Sequence, residues 1–282
     1  MQQVTVRVPA STSNLGPGYD CLGVALRLYN DVVVQRGGRG KQTPMMRVAA
    51  QAFFRRVERK PFAFSCAVGG DVPMSRGLGS SVTVRLGAMF GLNELAGRLL
   101  TREQVFELCT ELEGHPDNAA PATFGGFNVC RAKQRQRFAV APALKFVLLI
   151  PNFEVRTADA RALLPEHVGR LAAVESCGNA CAITASFASG AYASMRGAFG
   201  DQLHQPFRKP LIPFFDAAVQ AGEAAGALGV FLSGSGSTIA ALTMANAERV
   251  AERMLAAAEG NARTIITTAD NRGARILPQK GA

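Results

Sequence analysis

Apolar and polar residues alternate from Val4 to Val8, the period of a half-buried strand. The alternation ends in a loop of small and polar residues, PASTSNLGPGYDCLG, from Pro9 to Gly23. Val24 to Gln35 reads as a second strand region, and Arg36-Gly37-Gly38-Arg39-Gly40 is a turn-rich break. Met45 to Glu58 has helical spacing of apolar residues. Phe62 to Val68 reads as a strand that runs into a second glycine-rich loop, PMSRGLGSS, from Pro73 to Ser81. From Ser80 to Leu100 the pattern predicts a long apolar helix, opened by serines suited to capping, with Ala88, Leu92 and Leu95 at core spacing. Thr101 to Leu112 follows as a helix with Thr101 at its N-cap.

Past Glu113-Gly114-His115-Pro116-Asp117-Asn118, the segments Phe124 to Arg131 and Leu144 to Ile150 read as strands, and Pro151-Asn152 breaks the pattern. A domain boundary is expected there, dividing the chain into 1–150 and 151–282. The second part reads as a strand, a helix from Thr157 to Leu163, alanine-rich helices from Ala172 to Phe199, and a helix from Pro213 to Leu228. A strand at Val230 to Leu232, a third glycine-rich loop LSGSGST, a strand from Thr238 to Thr243 and a helix from Ala247 to Ala258 complete it. Mixed elements with few βαβ repeats predict two-layer α+β domains.

Composition narrows the class. The 282 residues are 48% hydrophobic and 18% charged, which suits a packed globular protein. Purely apolar runs such as Phe146 to Ile150 are too short to span a bilayer, and the N-terminus has no basic region followed by an apolar stretch. No membrane association and a cytoplasmic location are expected. The six cysteines, at 21, 66, 109, 130, 177 and 181, form no CxxC pair, and the three histidines form no HExxH, so free thiols are expected and a transition-metal site is not. A net charge of +10 invites a polyanion, yet the arginines are scattered, tryptophan is absent, and no zinc-finger, RNP or basic-zipper pattern occurs. Nucleic acid is not expected as the ligand.

The glycine-rich loops carry the chemistry. Glycine lets backbone amides approach an anion, and a helix starting at such a loop adds the attraction of its dipole. The chain lacks the GxxxxGK[ST] of a P-loop, the GxGxxG unit of a Rossmann fold, and the HRD and DFG elements of protein kinases. Any phosphate site therefore has another design.

Three strings occur in order: Pro9-x4-Asn14-Leu15-Gly16-x-Gly18-Tyr19-Asp20, then Pro73-x3-Gly77-Leu78-Gly79-Ser80-Ser81, then Ser233-Gly234-Ser235-Gly236. In this set, spread over almost its full length, the chain resembles the GHMP small-molecule kinases. The SNLGPGYD form of the first string, Arg76 before GLGSS, EGHPDNAAPATFGG from Glu113 to Gly126, TADARALLP with Thr157, Arg161 and Pro165, and His204-Gln205-Pro206-Phe207-Arg208 resemble the homoserine kinase branch. The resemblance implies a ribosomal-protein-S5-like N-terminal domain, a ferredoxin-like C-terminal domain and an active site between them. It implies ATP and Mg²⁺ as cofactors, L-homoserine as substrate, phosphorylation of the homoserine hydroxyl, and a homodimer as a common assembly.

Residue by residue, the resemblance places ATP on Pro73, Met74, Ser75, Arg76, Gly77, Leu78, Gly79, Ser80 and Ser81, with Gly234, Ser235 and Gly236. Mg²⁺ would be held by Ser81 and Glu113, and the substrate by Asn14, Asp20, His115, Arg161 and Arg208. Asp117 corresponds to a proposed base in other branches, and Asn118 is implied to face the hydroxyl. Two departures stand out: the segment from Gly37 to Met46 is short and lacks the asparagine often found before the following helix, and Ser237 replaces a proline common after SGSG. The alternatives are a GHMP kinase for another small alcohol and a catalytically silent binding protein of this fold.

Overall fold

The computed structural model describes residues 2–37, 40, 42–131 and 134–278; Gly38 and Arg39 of the turn expected after the second strand lie outside them. Strands β1 (Gln3–Ser13) and β2 (Leu22–Arg36) form a long antiparallel pair from Gln3↔Gln35 to Ser13↔Gly23, with a register shift between Pro9 and Ala10. Helix α1 (Pro44–Arg56) is capped by Thr43, whose hydroxyl accepts the Met46 amide, and Pro44 occupies the first turn, where its missing N–H costs nothing. Strand β3 (Phe64–Gly70) pairs with β2 and delivers the second loop.

Helix α2 (Ser80–Leu95) lies across β1 and β2. Gly87 and Gly91 permit the close approach: a Cβ would stand 2.3 Å from Val32 Cγ2 at the first and 2.4 Å from Val34 Cγ2 at the second. The helix stops at Leu95 rather than Leu100, because Gly97 and Arg98 turn the chain through positive φ. Helix α3 (Arg102–Glu113) has the expected Thr101 cap, completed by Gln104 as a capping box, and ends on left-handed Gly114. Helix α4 (Ala119–Phe124), strand β4 (Phe127–Arg131) and strand β5 (Gln134–Phe138) follow.

Strand β6 (Lys145–Pro151) opens a second sheet. The chain leaves the first sheet between Phe138 and Lys145, ahead of the boundary expected near 150, since β6 pairs on both sides within the second sheet. The strand expected between Asn152 and Thr157 is irregular. Next come α5 (Thr157–Ala162), α6 (Arg170–Ser189), a 3₁₀ turn over 192–195, α7 (Gln205–Arg208) and α8 (Phe215–Ala224). The chain closes with β7 (Gly229–Leu232), β8 (Ile239–Thr243), α9 (Ala247–Ala257), β9 (Ala262–Thr268) and β10 (Arg275–Ile276).

The first sheet has the order β10-β1-β2-β4-β5, with β3 also on β2, and the second is β7-β8-β6-β9, antiparallel throughout. Alternate residues of β6 serve two cores. Val147 and Leu149 pack with Val250 and Met254 of α9, while Phe146, Leu148 and Ile150 join Leu22, Val24 and Phe127 of the first sheet. This explains the unbroken apolar run of β6, since both faces are covered. Each such side chain contributes ~1.5–3 kcal/mol by burial, so the two sheets are fastened by a continuous core and the cleft between their loops has firm walls. No helix among the described residues is long and apolar enough to cross a membrane.

Candidate active site

The three glycine-rich loops meet at one cleft of about 1430 Å³, which Ser80, Ser81, Arg161 and Arg208 all line. The second loop reaches it through left-handed turns at Ser75, Gly77 and Gly79. Gly79, not a serine, is the N-cap of α2, and no side chain caps the helix. The expected serine cap is thus replaced by an open helix N-terminus whose first residues border the cleft, an arrangement that attracts anions.

Both sheets hold this loop in place. Leu78 O accepts the Ser11 amide, Gly77 O accepts Ser233 Oγ at 2.7 Å, Arg76 O accepts the Thr238 amide and Ser75 O accepts the Val155 amide. A Cβ on Gly77 would meet Ser233 O at 2.1 Å, so only glycine fits. Of the residues expected on ATP, Met74 to Gly77 and Gly79 to Ser81 border the cleft; Pro73 does not, and the Leu78 side chain is buried in the core as the loop's anchor. The Arg76 guanidinium donates to Pro151 O and Asn152 O and lies 3.4 Å from Glu154, tying the loop to the end of β6.

The third loop serves the other end of the cleft. Gly234 O accepts both Asn14 Nδ2 at 3.1 Å and Arg208 Nη1 at 3.2 Å, and Ser235 Oγ lies 3.2 Å from Thr157 Oγ1. Gly236 closes the turn onto Ser233 O and does not border the cleft. Asn14, left-handed and buried, also accepts the Asp20 amide. Both polar atoms of its side chain are therefore engaged by the chain itself, and it shapes the first loop. Ser237, in place of a proline, donates to Phe153 O.

Arg161 and Asp20 form a two-bond ion pair, at 2.7 and 3.1 Å. Burial works against the Arg161 cation, but the Asp20 hydrogen bond and charge prevail and raise its pKa. Arg208 differs. It is 2% exposed, and among the described residues no carboxylate lies within 4 Å of it. Its bonds go to neutral acceptors: Ala160 O, Gly234 O, His204 Nδ1 and Tyr19 Oη. Burial lowers its pKa, and Arg161 adds to the effect. A buried cation with no carboxylate in contact, helped only from farther off by Asp20, is costly unless an anion arrives.

His204 prepares this guanidinium. Its Nε2 lies 2.7 Å from Gly16 O, so the proton resides there and Nδ1 is left as acceptor for Arg208 at 3.4 Å. Burial lowers the His204 pKa and keeps the ring neutral. Asp201 caps the turn by accepting the amides of Leu203, His204 and Gln205. Tyr19, His204, Asp201 and Arg85 stand outside the expected site residues; His204 lies four residues before Arg208, a helical spacing that signals a pair.

Asp117, 2% exposed, contacts His115 Nδ1 at 2.5 Å and accepts the Asn118 amide. The Asn118 side chain accepts from Ser11 Oγ and donates to Ser13 Oγ, which fixes it against β1 at the cleft wall. Burial pushes the Asp117 pKa up, but the bond and charge of His115 outweigh it and leave the carboxyl below its ordinary range. Burial also opposes charge on His115, and Asp117 reverses this and raises the imidazole above 6.5. The pair thus stabilises the fold fully from about pH 4, above the unfolded carboxyl, to about 6.5, the unfolded imidazole. Its contribution falls as pH rises through the raised His115 value or drops through the lowered Asp117 value. The melting-temperature loss of His115→Gln is therefore expected to be largest near pH 5–6 and to shrink as pH rises through the raised imidazole value; a loss independent of pH would show that charge plays no part.

Ser81 Oγ lies 3.1 Å from Glu113 Oε2, while Glu113 Oε1 is 2.5 Å from Arg85 Nη1. The carboxylate thus keeps one oxygen beside a hydroxyl and has the other tied down. Hydroxyl and carboxylate oxygens together suit a hard divalent cation. Asp20, His115 and Asp117 place ligand atoms within 4.8 Å of one another in the same cleft, an acidic pocket on the arginine side.

Residues 45–126 match the GHMP kinases N-terminal domain and residues 182–260 the GHMP kinases C-terminal family. A homoserine kinase of Microchaete diplosiphon is 38% identical over 96% of this chain and 94% of its own. The crystal structure of homoserine kinase from Cytophaga hutchinsonii superposes with a TM-score of 0.89 at 24% identity, covering 98% of each chain. A mevalonate kinase shares the fold at a TM-score of 0.70 and 14% identity, covering 96% of this chain and 98% of its own. The expected two-domain fold is present, and the chain belongs to the GHMP kinases, within them to the homoserine kinase family.

Proposed function

We propose that the protein transfers the γ-phosphoryl group of ATP to the side-chain hydroxyl of L-homoserine, giving O-phospho-L-homoserine for threonine biosynthesis. The observation that carries this reading is the buried Arg208, in contact with no carboxylate among the described residues, beside the Arg161–Asp20 pair. A free amino acid brings one carboxylate and one ammonium, so it completes both: its carboxylate joins the two guanidinium groups and its ammonium takes Asp20. The relatives named homoserine kinase support the same choice.

The Gly77–Ser81 turn and the open end of α2 receive the triphosphate. Ser81 and Glu113 would hold Mg²⁺, which when bound supplies charge neutralisation of the phosphates. Asn118, fixed by two serine hydroxyls, orients the substrate hydroxyl toward the phosphates. Asp117 is a poor proton acceptor because its carboxylate is already stabilised by His115 and the Asn118 amide. A loose phosphoryl-transfer transition state needs little deprotonation of the attacking hydroxyl, so positioning and charge suffice. In a coupled ADP-release assay, L-homoserine is expected to exceed mevalonate and simple sugars in kcat/KM by at least about a hundredfold, the worth of two charge-assisted contacts. Equal use of mevalonate or a sugar would refute the assignment.

A further inference from the structure

We infer that the phenol oxygen of Tyr19 bridges Arg161 and Arg208 into a single carboxylate-binding fork, making Tyr19 a positioning residue for the amino-acid substrate. The inference rests on the homoserine reading above. Arg161 Nη1 donates to Tyr19 Oη at 2.8 Å, and Arg208 Nη2 reaches the same oxygen at 3.5 Å. The two guanidinium carbons also lie over the same ring, 5.5 and 5.2 Å from its centroid. The ring in turn rests against His204, with centroids 5.2 Å apart. One side chain therefore touches every member of the arginine cluster.

Two cations brought this close repel each other, and the repulsion is part of what depresses Arg208. A carboxylate between them would remove the repulsion but would also consume the charge that a ligand needs. A phenol offers an acceptor oxygen and an electron-rich face while staying neutral, so it orients both guanidinium groups without adding a second anion to the one that Asp20 already brings to Arg161. Burial raises the Tyr19 pKa, with Asp20 adding to it, so the hydroxyl keeps its proton. Tyr19 does not border the cleft, whereas its neighbour Asp20 does. It acts from behind the site, through the arginines.

Tyr19→Phe retains the ring and deletes only the bridging oxygen. Calorimetric titration of L-homoserine into the ADP-bound enzyme is expected to show about a tenfold weaker Kd, the size of one charge-assisted hydrogen bond. KM for homoserine should rise in parallel, with kcat within about twofold and KM for ATP unchanged, because the lost contact acts on substrate binding. The control substrate is 3-amino-1-propanol, which keeps the hydroxyl and amine but lacks the carboxylate; its kcat/KM should be the same in both proteins. Arg161→Ala is measured alongside. If Arg161→Ala weakens homoserine and Tyr19→Phe does not, or if Tyr19→Phe harms the amino alcohol as much as homoserine, the bridge is overturned and the clamp stands. If neither variant alters homoserine binding, the carboxylate clamp itself is the reading that fails.

Discussion

Replacing Arg208 by alanine is expected to raise KM for homoserine by about a hundredfold or more, the equivalent of ~3 kcal/mol for a two-bond charge-assisted contact in a site shielded from water. KM for ATP should stay within about twofold, since the phosphate loop and Glu113 touch none of the atoms removed. Arg161→Ala should cost less. Arg161 is about a third exposed and already shares its charge with Asp20, whereas Arg208 is buried and touches no carboxylate among the described residues. Folding stability separates a binding defect from a collapsed site. Deleting Arg208 leaves Ala160 O short of a donor, while Gly234 O keeps Asn14, and it also removes a buried cation that touches no carboxylate among the described residues, so the two changes oppose each other. Homoserine should raise the melting temperature of the wild type, as any ligand of the native state does, and leave that of Arg208→Ala unmoved. A variant that binds homoserine normally, or a larger loss from Arg161→Ala, would overturn the ranking.

Periodicity made most of the fold legible. β2, α1 and α3 stand where alternation and helical spacing put them, and Thr101 caps α3 as expected; β1 covers the expected Val4–Val8 and runs on through Ser13 into the segment read as loop. Five elements escaped, one of them α7, a four-residue helix with a proline in its first turn. β5 carries QRQRF, whose charged residues obscure a strand at a sheet edge; α4 is a six-residue helix containing a proline; β10 has two residues; β9, ARTIITT, lies among small and polar residues with no apolar run. Alanine-rich sequence between Ala172 and Phe199 gives no signal for where a helix stops, and Gly190 stops it in left-handed conformation. At the site, motifs brought the phosphate loop, Glu113 and both arginines to one cleft. They gave no hint that the third loop would anchor Arg208 through Gly234 O, because a carbonyl's partner depends on tertiary approach. Tyr19 escaped for the same reason, since Arg161 and Arg208 are far from it in sequence; His204 had a signal in its helical spacing from Arg208, but its bond to Gly16 O, which sets the tautomer, depends on the fold.

Glu113→Gln and Asp117→Asn separate charge stabilisation from proton abstraction. Glu113→Gln keeps the shape but removes the anion beside Ser81 and leaves the Arg85 cation without its partner. A fall in kcat of about 10²–10³ is expected, the scale for deleting one preorganised electrostatic group. Asp117→Asn should lower kcat by less than about tenfold, because a loose transition state leaves the nucleophile little need of a base. Its cost should appear in stability instead. The His115 bond loses its charge, so the melting temperature should fall most between about pH 4 and 6.5, where both partners are ionised in the native state. A base with a depressed pKa is also a weak one, since affinity for the proton is what a base contributes. Should Asp117→Asn nevertheless reduce kcat more than Glu113→Gln does, at unchanged KM for both substrates, Asp117 takes the proton and the base-free route is excluded.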